Sequence, residues 1–289
     1  MEEEKAIPLI EVKNKMTTTE RLAPAVVKGA GVSRKWTKRV QNEWKILENN
    51  LPETIYVRAF EDRMDLLRAA MVGAAGTPYQ DGLFFFDMQL PPSYPAAPPQ
   101  VYYHSFGLCL NPNLDKSGTV CLSLLDTFAG EGVELWSPAN STVLQVLVSI
   151  QGLVLTAQPY YNEASYEELL GRPEGALPYA ENAYVLNLRT MLHLLRRPPV
   201  GFEELVRDHF RRRGRFVLQA CAAYVQQGCP VGSLDGEAQA PEQEMSRERP
   251  RRCSEGLRLA LGSVVPQLVR AFTKIGADGC DYATPISEV

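Results

Sequence analysis

Apolar residues change their spacing several times along this chain, and each change marks an element. After Ser33, whose hydroxyl suits the first position of a helix, Trp36, Val40, Trp44 and Leu47 recur at helical spacing until Asn49, Asn50 and Pro52 interrupt them. This predicts a first helix. Four short runs of strand-forming residues follow at 54–60, 65–72, 83–89 and 100–104, separated by turns such as Gln80-Asp81-Gly82. Such closely spaced runs predict an antiparallel meander. Residues 105–138 show no clear strand, and an apolar helix is predicted over 141–155. Its buried stripe would be Val143, Val146, Leu147, Ile150 and Val154, with Gln145, Val148 and Gly152 on a second face. A helix of this composition is expected to lie across the sheet. Another helix, over 179–197, stops at Pro198-Pro199. Helix, meander, irregular loop and further helices make an α+β plan.

The flanks differ from this centre. Residues 1–30 mix Lys, Glu, Thr and Pro without a sustained period and read as a flexible N-terminal segment, leaving 31–199 as the core domain. Residues 200–289 read as a C-terminal helical extension. It has a helix over 202–226 that carries Arg211, Arg212, Arg213 and Arg215, a linker at about 228–256 rich in Gly, Pro, Glu, Gln and Arg, and an amphipathic segment over 257–274. Acidic residues near this run and near a second one, Arg247 to Arg252, offset both, so nucleic-acid binding is not expected.

Composition narrows the classes further. With 45% hydrophobic residues, 22% charged residues and a net charge of −4, the chain resembles an ordinary soluble protein. The six cysteines, at 109, 121, 221, 229, 253 and 280, include no CxxC pair and no histidine at zinc-finger spacing. They predict unpaired thiols in a reducing compartment rather than a metal site. Met1 to Lys5 are acidic, unlike the start of a signal peptide. The late apolar stretch over 256–275 is broken by Arg258, Pro266, Arg270 and Lys274, so no membrane span is expected. A cytoplasmic or nuclear location follows as an expectation.

The chemistry concentrates in three pieces: Leu110-Asn111-Pro112-Asn113, Gly118-Thr119-Val120-Cys121-Leu122 and Trp136-Ser137-Pro138. A cysteine that follows valine in apolar surroundings is ordinarily a small buried hydrophobe. Here an Asn stands eight residues before it, Trp-Ser-Pro follows it, and Tyr94-Pro95-Ala96-Ala97-Pro98-Pro99 lies upstream. In this order and spacing, residues 33–197 resemble the ubiquitin-conjugating enzymes, the E2 family. The resemblance is strongest to the very large E2 proteins, which include plant enzymes linked to phosphate homeostasis and animal relatives that combine E2 and E3 roles. The details shared with them are Leu110-Asn111-Pro112-Asn113-Leu114, Gln151-Gly152-Leu153, Pro159-Tyr160-Tyr161-Asn162-Glu163-Ala164 and Arg196-Arg197-Pro198-Pro199.

The resemblance implies the UBC fold, with ubiquitin, the activating enzyme E1, and an E3 ligase or direct protein substrates as partners. No cofactor is implied, because ATP is consumed by E1. Cys121 would carry ubiquitin as a thioester, since a thiolate is both a good nucleophile and a good leaving group. Asn113 would stabilise the oxyanion formed when a lysine attacks; the alternative is a turn residue that only shapes the loop. Where the family usually has a structural His, this chain has Asn111. The position near the acceptor lysine that is often acidic in the family falls on Tyr161, which leaves Tyr161, Glu163, Glu131 and Glu134 as acceptor-side candidates. Tyr160 and Tyr161 as core aromatics is the alternative reading.

Residues 125–134, longer than in a minimal E2, hold three acids and two glycines. They read as a mobile, negative flap that helps to position an acceptor lysine. Arg34, Lys35, Lys38 and Arg39 match the helix that meets E1. Ala96, Pro138 and Ala139 match the E3 loops, although the small Ala96 offers little anchoring area. Gln145, Val148 and Gly152 match the face that touches donor ubiquitin. Two other readings stay open at this point: a non-catalytic E2-like module that only binds ubiquitin, and an E2 for another ubiquitin-like modifier.

Overall fold

The computed structural model describes residues 10–13, 33–60, 63–163, 175–234 and 253–280. Helix α1 (Arg34–Asn50) starts where the Ser33 hydroxyl accepts the Trp36 amide at 3.1 Å. It buries Trp36, Val40, Glu43 and Leu47. Trp44, expected in the apolar stripe, is only half-buried, and Glu43 takes the inner position instead. The carboxylate is accommodated there because three donors reach it: the Tyr94 hydroxyl at 2.7 Å, the Val143 amide at 3.0 Å and Arg39 at 2.9 Å.

Strands β2 (Ile55–Phe60), β3 (Leu66–Val72), β4 (Leu83–Gln89) and β5 (Gln100–Tyr103) appear where the pattern predicted them. Ile55 faces Met71 across the antiparallel β2–β3 pair, and Phe86 faces Tyr103 across β4–β5. A fifth strand, β1 (Ile10–Lys13), adds to the outer edge of β2 in parallel, with Ile10 opposite Val57. Four residues of the N-terminal segment read as flexible thus form an edge strand; the remainder of that segment lies outside the described residues. The strand's four residues, Ile-Glu-Val-Lys, are too short a run to stand out in a sequence.

Inside the sheet, Arg68 holds both carboxylate oxygens of Asp87 at 2.6 and 2.9 Å, and the His104 ring adds a contact at 2.9 Å. Burial alone would raise the Asp87 carboxyl. Hydrogen bonds from His104 and Arg68 outweigh it and hold the group below its ordinary value.

The chain forms two compact units, the first built from residues 1–72, 84–107 and 113–153, the second from 73–83, 108–112 and 154–289. In the first, helix α2 (Val143–Ser149) begins with a reciprocal cap between Thr142 and Gln145, two residues later than expected. It continues into a wider π-type turn over Ile150–Val154. The five expected stripe residues are buried, and Gln145, Val148 and Gly152 are exposed. Gln151 donates from its side chain to the Thr54 hydroxyl and the Val72 carbonyl, tying this turn to the ends of β2 and β3.

The second unit contains helices α3 (Ala176–Arg196), α4 (Glu203–Gln227) and α5 (Glu255–Lys274). Pro198-Pro199 ends α3 as expected, but the Phe202 amide turns straight back onto the Pro199 carbonyl at 2.9 Å. The boundary drawn at 199 therefore falls inside this unit. Of the expected linker, Leu234 is buried and the Gly232 amide donates to the Tyr224 hydroxyl, while α5 already starts at Glu255; residues 235–252 lie outside the described residues.

The turn before β4 belongs to the same unit and is gripped from two helices. Asn187 donates to the Pro78 and Gln80 carbonyls at 3.1 and 3.2 Å, and Arg213 holds the Asp81 carboxylate at 2.7 Å. The His209 ring must donate from Nε2, since its partner at 2.8 Å is the Asp81 carbonyl. Among the described residues, no helix is long and apolar enough to cross a membrane, and no group of three metal-ligating side chains occurs.

His209 gives this unit a specific pH dependence. Burial, assisted by the charges of Arg213 and Arg212, pushes its pKa down to about 4 against the pull of the Asp81 carbonyl. The unfolded chain takes up this proton near the ordinary histidine value, so stability is full above that pH and falls as pH drops toward 4. Chemical denaturation of wild type should lose on the order of 3 kcal/mol more than His209→Gln between pH 7 and 4. Equal pH dependence in the two proteins would contradict this.

Candidate active site

The site begins with a tight hairpin in the first unit. Leu114 bridges Val120, the Asp115 amide donates to the Thr119 carbonyl, and the Gly118 amide donates back to the Asp115 carbonyl at 2.9 Å. Gly118 sits at φ +96°, and a Cβ there would collide with the Tyr102 ring. Only glycine satisfies both conditions. The hairpin delivers Cys121 to its end, where two hydrogen bonds hold it. The Cys121 amide donates to the Asn113 carbonyl at 2.9 Å, and the Asn113 side-chain amide donates to the Cys121 carbonyl at 2.9 Å.

Beyond the cysteine, one hydroxyl continues the support. Thr127 Oγ1 accepts the Leu122 amide at 3.0 Å and donates to the Val120 carbonyl at 2.7 Å, so it grips the residues on both sides of Cys121. Cys121 is half-buried. A cleft of about 470 Å³ in the same unit is lined by Pro98, Tyr102, Gly118, Val120, Leu125 and Thr127. The arrangement presents a thiol on a backbone that is fixed by hydrogen bonds rather than by a sheet.

The flap expected to be mobile is pinned locally. Ser123 Oγ donates to the Ala129 carbonyl at 2.6 Å, and Glu131 and Glu134 cap each other's backbone amides around a single turn. Phe128 and above all Val133 are exposed apolar residues of the flap, as is Leu135 directly after it.

The two proline loops are joined in the first unit. Trp136 Nε1 donates to the Pro95 carbonyl at 2.7 Å, and its ring meets that of Tyr94 at 5.7 Å. Ala96, Pro138 and Ala139 are all exposed. On α1, Arg34, Lys35 and Lys38 are exposed, whereas Arg39 turns inward. It pairs with Glu43, donates to the Ser141 carbonyl at 2.7 Å and lies over the Tyr94 ring. The exposed basic face on α1 is therefore smaller by one residue than the sequence suggested.

The remaining candidates fall in the second unit. Asn111 is fully buried and donates to the Tyr79 hydroxyl and the Val154 carbonyl, both at 2.8 Å. Its side-chain amide oxygen Oδ1 accepts from the Asn162 side chain at 3.3 Å. This is a scaffold residue. Tyr160 is buried and meets Tyr161 edge to face at 5.4 Å, while Tyr161 itself is 41% exposed. Only Tyr160 fits the core-aromatic reading. Glu163 is half-buried. Sequence reasoning missed Glu43 and Thr127, which left no local signal, and it singled out Gly118 only as part of the Cys121 motif.

With this geometry described, known proteins can be compared. The ubiquitin-conjugating enzyme family matches residues 39–174. The chain is 54% identical over 248 residues to a protein named as ubiquitin-conjugating enzyme E2 23 from Arabidopsis thaliana, which covers 85% of this chain and 22% of the relative. It is 50% identical over 248 residues to one named as ubiquitin-conjugating enzyme E2 38 from the same plant, covering 84% of this chain and 74% of the relative. A dual E2 ubiquitin-conjugating enzyme/E3 ubiquitin-protein ligase of Homo sapiens is 37% identical over 201 residues, 65% of this chain and 4% of that protein. The chain thus spans a minor part of E2 23 and most of E2 38.

Thr127 offers a test of the site's construction that is independent of catalysis. Thr127→Val keeps the shape and removes the hydroxyl, and the loss of one such bond costs about 1 kcal/mol. Amide exchange at Leu122 should accelerate roughly 5–10-fold in the variant. An unchanged rate would show that the hydroxyl does not hold this segment.

Proposed function

Because the chain belongs to the ubiquitin-conjugating enzyme family, we propose that it accepts ubiquitin from E1 as a thioester on Cys121 and passes it to a lysine of a substrate protein or of another ubiquitin. The observation that carries this reading is the two-way hydrogen bonding of Asn113 and Cys121 around a half-buried thiol. The Cys121 thiolate attacks the carbonyl carbon of the E1 thioester and displaces the E1 thiolate. A lysine amine then attacks the same carbon, and the Cys121 thiolate leaves. The Asn113 side-chain amide, held beside the thiol by its bond to the Cys121 carbonyl, is the donor proposed for the oxyanion.

The partner surfaces follow from exposure. Arg34, Lys35 and Lys38 are proposed to meet E1. Ala96, Pro138 and Ala139 are proposed to meet an E3, and the small Ala96 favours a weak E3 partnership or direct substrate binding by the flanks. Gln145, Val148 and Gly152 are proposed to receive donor ubiquitin, with Val148 44% exposed at the centre of that face. On the acceptor side, exposed Tyr161 and the acids Glu163, Glu131 and Glu134 remain the proposed residues. A cytoplasmic or nuclear location suits such a role. The presence of Cys121 in the family's frame speaks against a binding-only module.

Incubation with E1, ATP and ubiquitin should give an adduct that reducing agent removes. Cys121→Ser should give an adduct that survives reduction, because the product is then an oxygen ester. If no adduct forms while a control E2 loads, or if Cys121→Ala loads like wild type, the proposal fails. Parallel reactions with other ubiquitin-like modifiers and their own activating enzymes decide which modifier is used.

A further inference from the structure

Three sets of contacts fix how the helices of the second unit run. The Glu181 carboxylate of α3 accepts both the amide and the hydroxyl of Ser254 at the start of α5, and Arg196 near the end of α3 reaches Gln267 of α5 at 3.3 Å. Helices α3 and α5 therefore run in the same direction. Tyr184, one turn beyond Glu181, lies against Cys221 at 3.3 Å and meets the Tyr224 ring edge to face at 5.2 Å. The start of α5 thus lies at the same end as the C-terminal part of α4.

At the opposite end, the Phe272 ring of α5 packs on Phe210 and against Gly214 of α4. Helices α4 and α5 are consequently antiparallel. At 1.5 Å per helical residue, Cys253 lies ~28 Å back along α5 from Phe272, and Cys229 lies ~25 Å forward along α4 from the Phe210–Gly214 contact. The two cysteines arrive at the same end of the helices and at nearly the same height.

We propose that Cys229 and Cys253 are a redox-responsive pair that closes into a disulfide when a small-molecule disulfide such as oxidised glutathione accumulates. Both residues sit on fixed backbone. Gly228 caps α4 in the left-handed conformation with its amide on the Tyr224 carbonyl, and Cys229 follows it; Cys253 directly precedes Ser254, the cap of α5. Exposure assigns the order of reaction, because Cys229 is half-buried and Cys253 is buried. The Cys229 thiol is pushed up by burial, against a hydrogen bond with Ser233, with the charge of Cys253 as a smaller contribution.

Cys221 is excluded as a partner. It is completely buried against Tyr184, and burial pushes its thiol up to about 12. Cys280, also buried, lies beyond the other end of α5.

The exchange balances without a further reagent. The Cys229 thiolate attacks one sulfur of the small disulfide, forms a mixed disulfide and expels one thiolate. The Cys253 thiolate then attacks the Cys229 sulfur and expels the second, and the two protein protons end on the released thiolates. Because the raised Cys229 pKa keeps its thiolate scarce at neutral pH, closure is slow there and accelerates as pH rises. The product joins the end of α4 to the start of α5 and closes the intervening chain into a covalent loop. Such a bond responds to sustained oxidation rather than to a brief pulse.

The test uses the full chain under native conditions. The protein is equilibrated with mixtures of reduced and oxidised glutathione, alkylated, digested and mapped by mass spectrometry. A Cys229–Cys253 linked peptide should appear as the oxidised fraction rises and vanish with reductant. Its rate of formation should increase close to tenfold per pH unit from pH 7 to 8. Cys253→Ser should instead retain glutathione on Cys229. Reduced wild type should also bind phenylarsine oxide, which requires two adjacent thiols, and Cys229→Ser should lose that binding. Stable glutathione on Cys229 in wild type, or a link from Cys229 to any other cysteine, would overturn the proposal.

Discussion

Asn113 and Cys121 hold each other through two hydrogen bonds of 2.9 Å, and the position of the thiol follows from that exchange. A segment as long as residues 105–142 would leave many backbone groups unpaired if it were simply coil, and buried unpaired groups are costly. Here side chains take over the role of neighbouring strands. Asn113 and Thr127 serve the Cys121 segment, Ser105 donates to the Lys116 carbonyl at 2.6 Å, and Asp115 accepts the Ser117 amide at 2.8 Å. The result is an ordered loop outside the sheet, with the thiol half-buried at its hairpin end.

The first unit relies on a similar use of a polar group in its core. Glu43 would be expensive to bury alone, but its carboxylate joins α1, Tyr94 and the first amide of α2. Trp136 extends the same connection through Tyr94 and the Pro95 carbonyl, so the two exposed proline loops are referred to one buried acid. The surface proposed for an E3 or a substrate therefore inherits its geometry from the helix proposed to meet E1.

Much of this plan is legible in the residues, because it depends on periodicity. The first helix, the four antiparallel strands and the buried stripe of α2 all appear where apolar spacing puts them. What periodicity cannot express is the satisfaction of polar groups by distant partners. Glu43 and Arg39 look like solvent-facing members of a polar helix face until Tyr94, Val143 and Ser141 are brought to them. The partition into two units likewise depends on Asn187, His209 and Arg213 gripping a turn more than a hundred residues earlier. Cys121 itself is a third case. Its local sequence reads as a buried hydrophobe, and the role proposed for it rests on the spacing to Asn113 and Trp136 together with the family resemblance; Thr127, which supports it, resembles any loop threonine.

The most direct test of the Asn113–Cys121 arrangement is single-turnover discharge. Protein loaded with ubiquitin is freed of E1 and ATP, mixed with free lysine, and followed by loss of the thioester. Wild type should discharge in step with lysine concentration, and Asn113→Ala, once loaded, should discharge roughly 100-fold to 1000-fold more slowly. Equal discharge rates for the two loaded proteins would contradict the assignment of Asn113 as the group that organises transfer from Cys121.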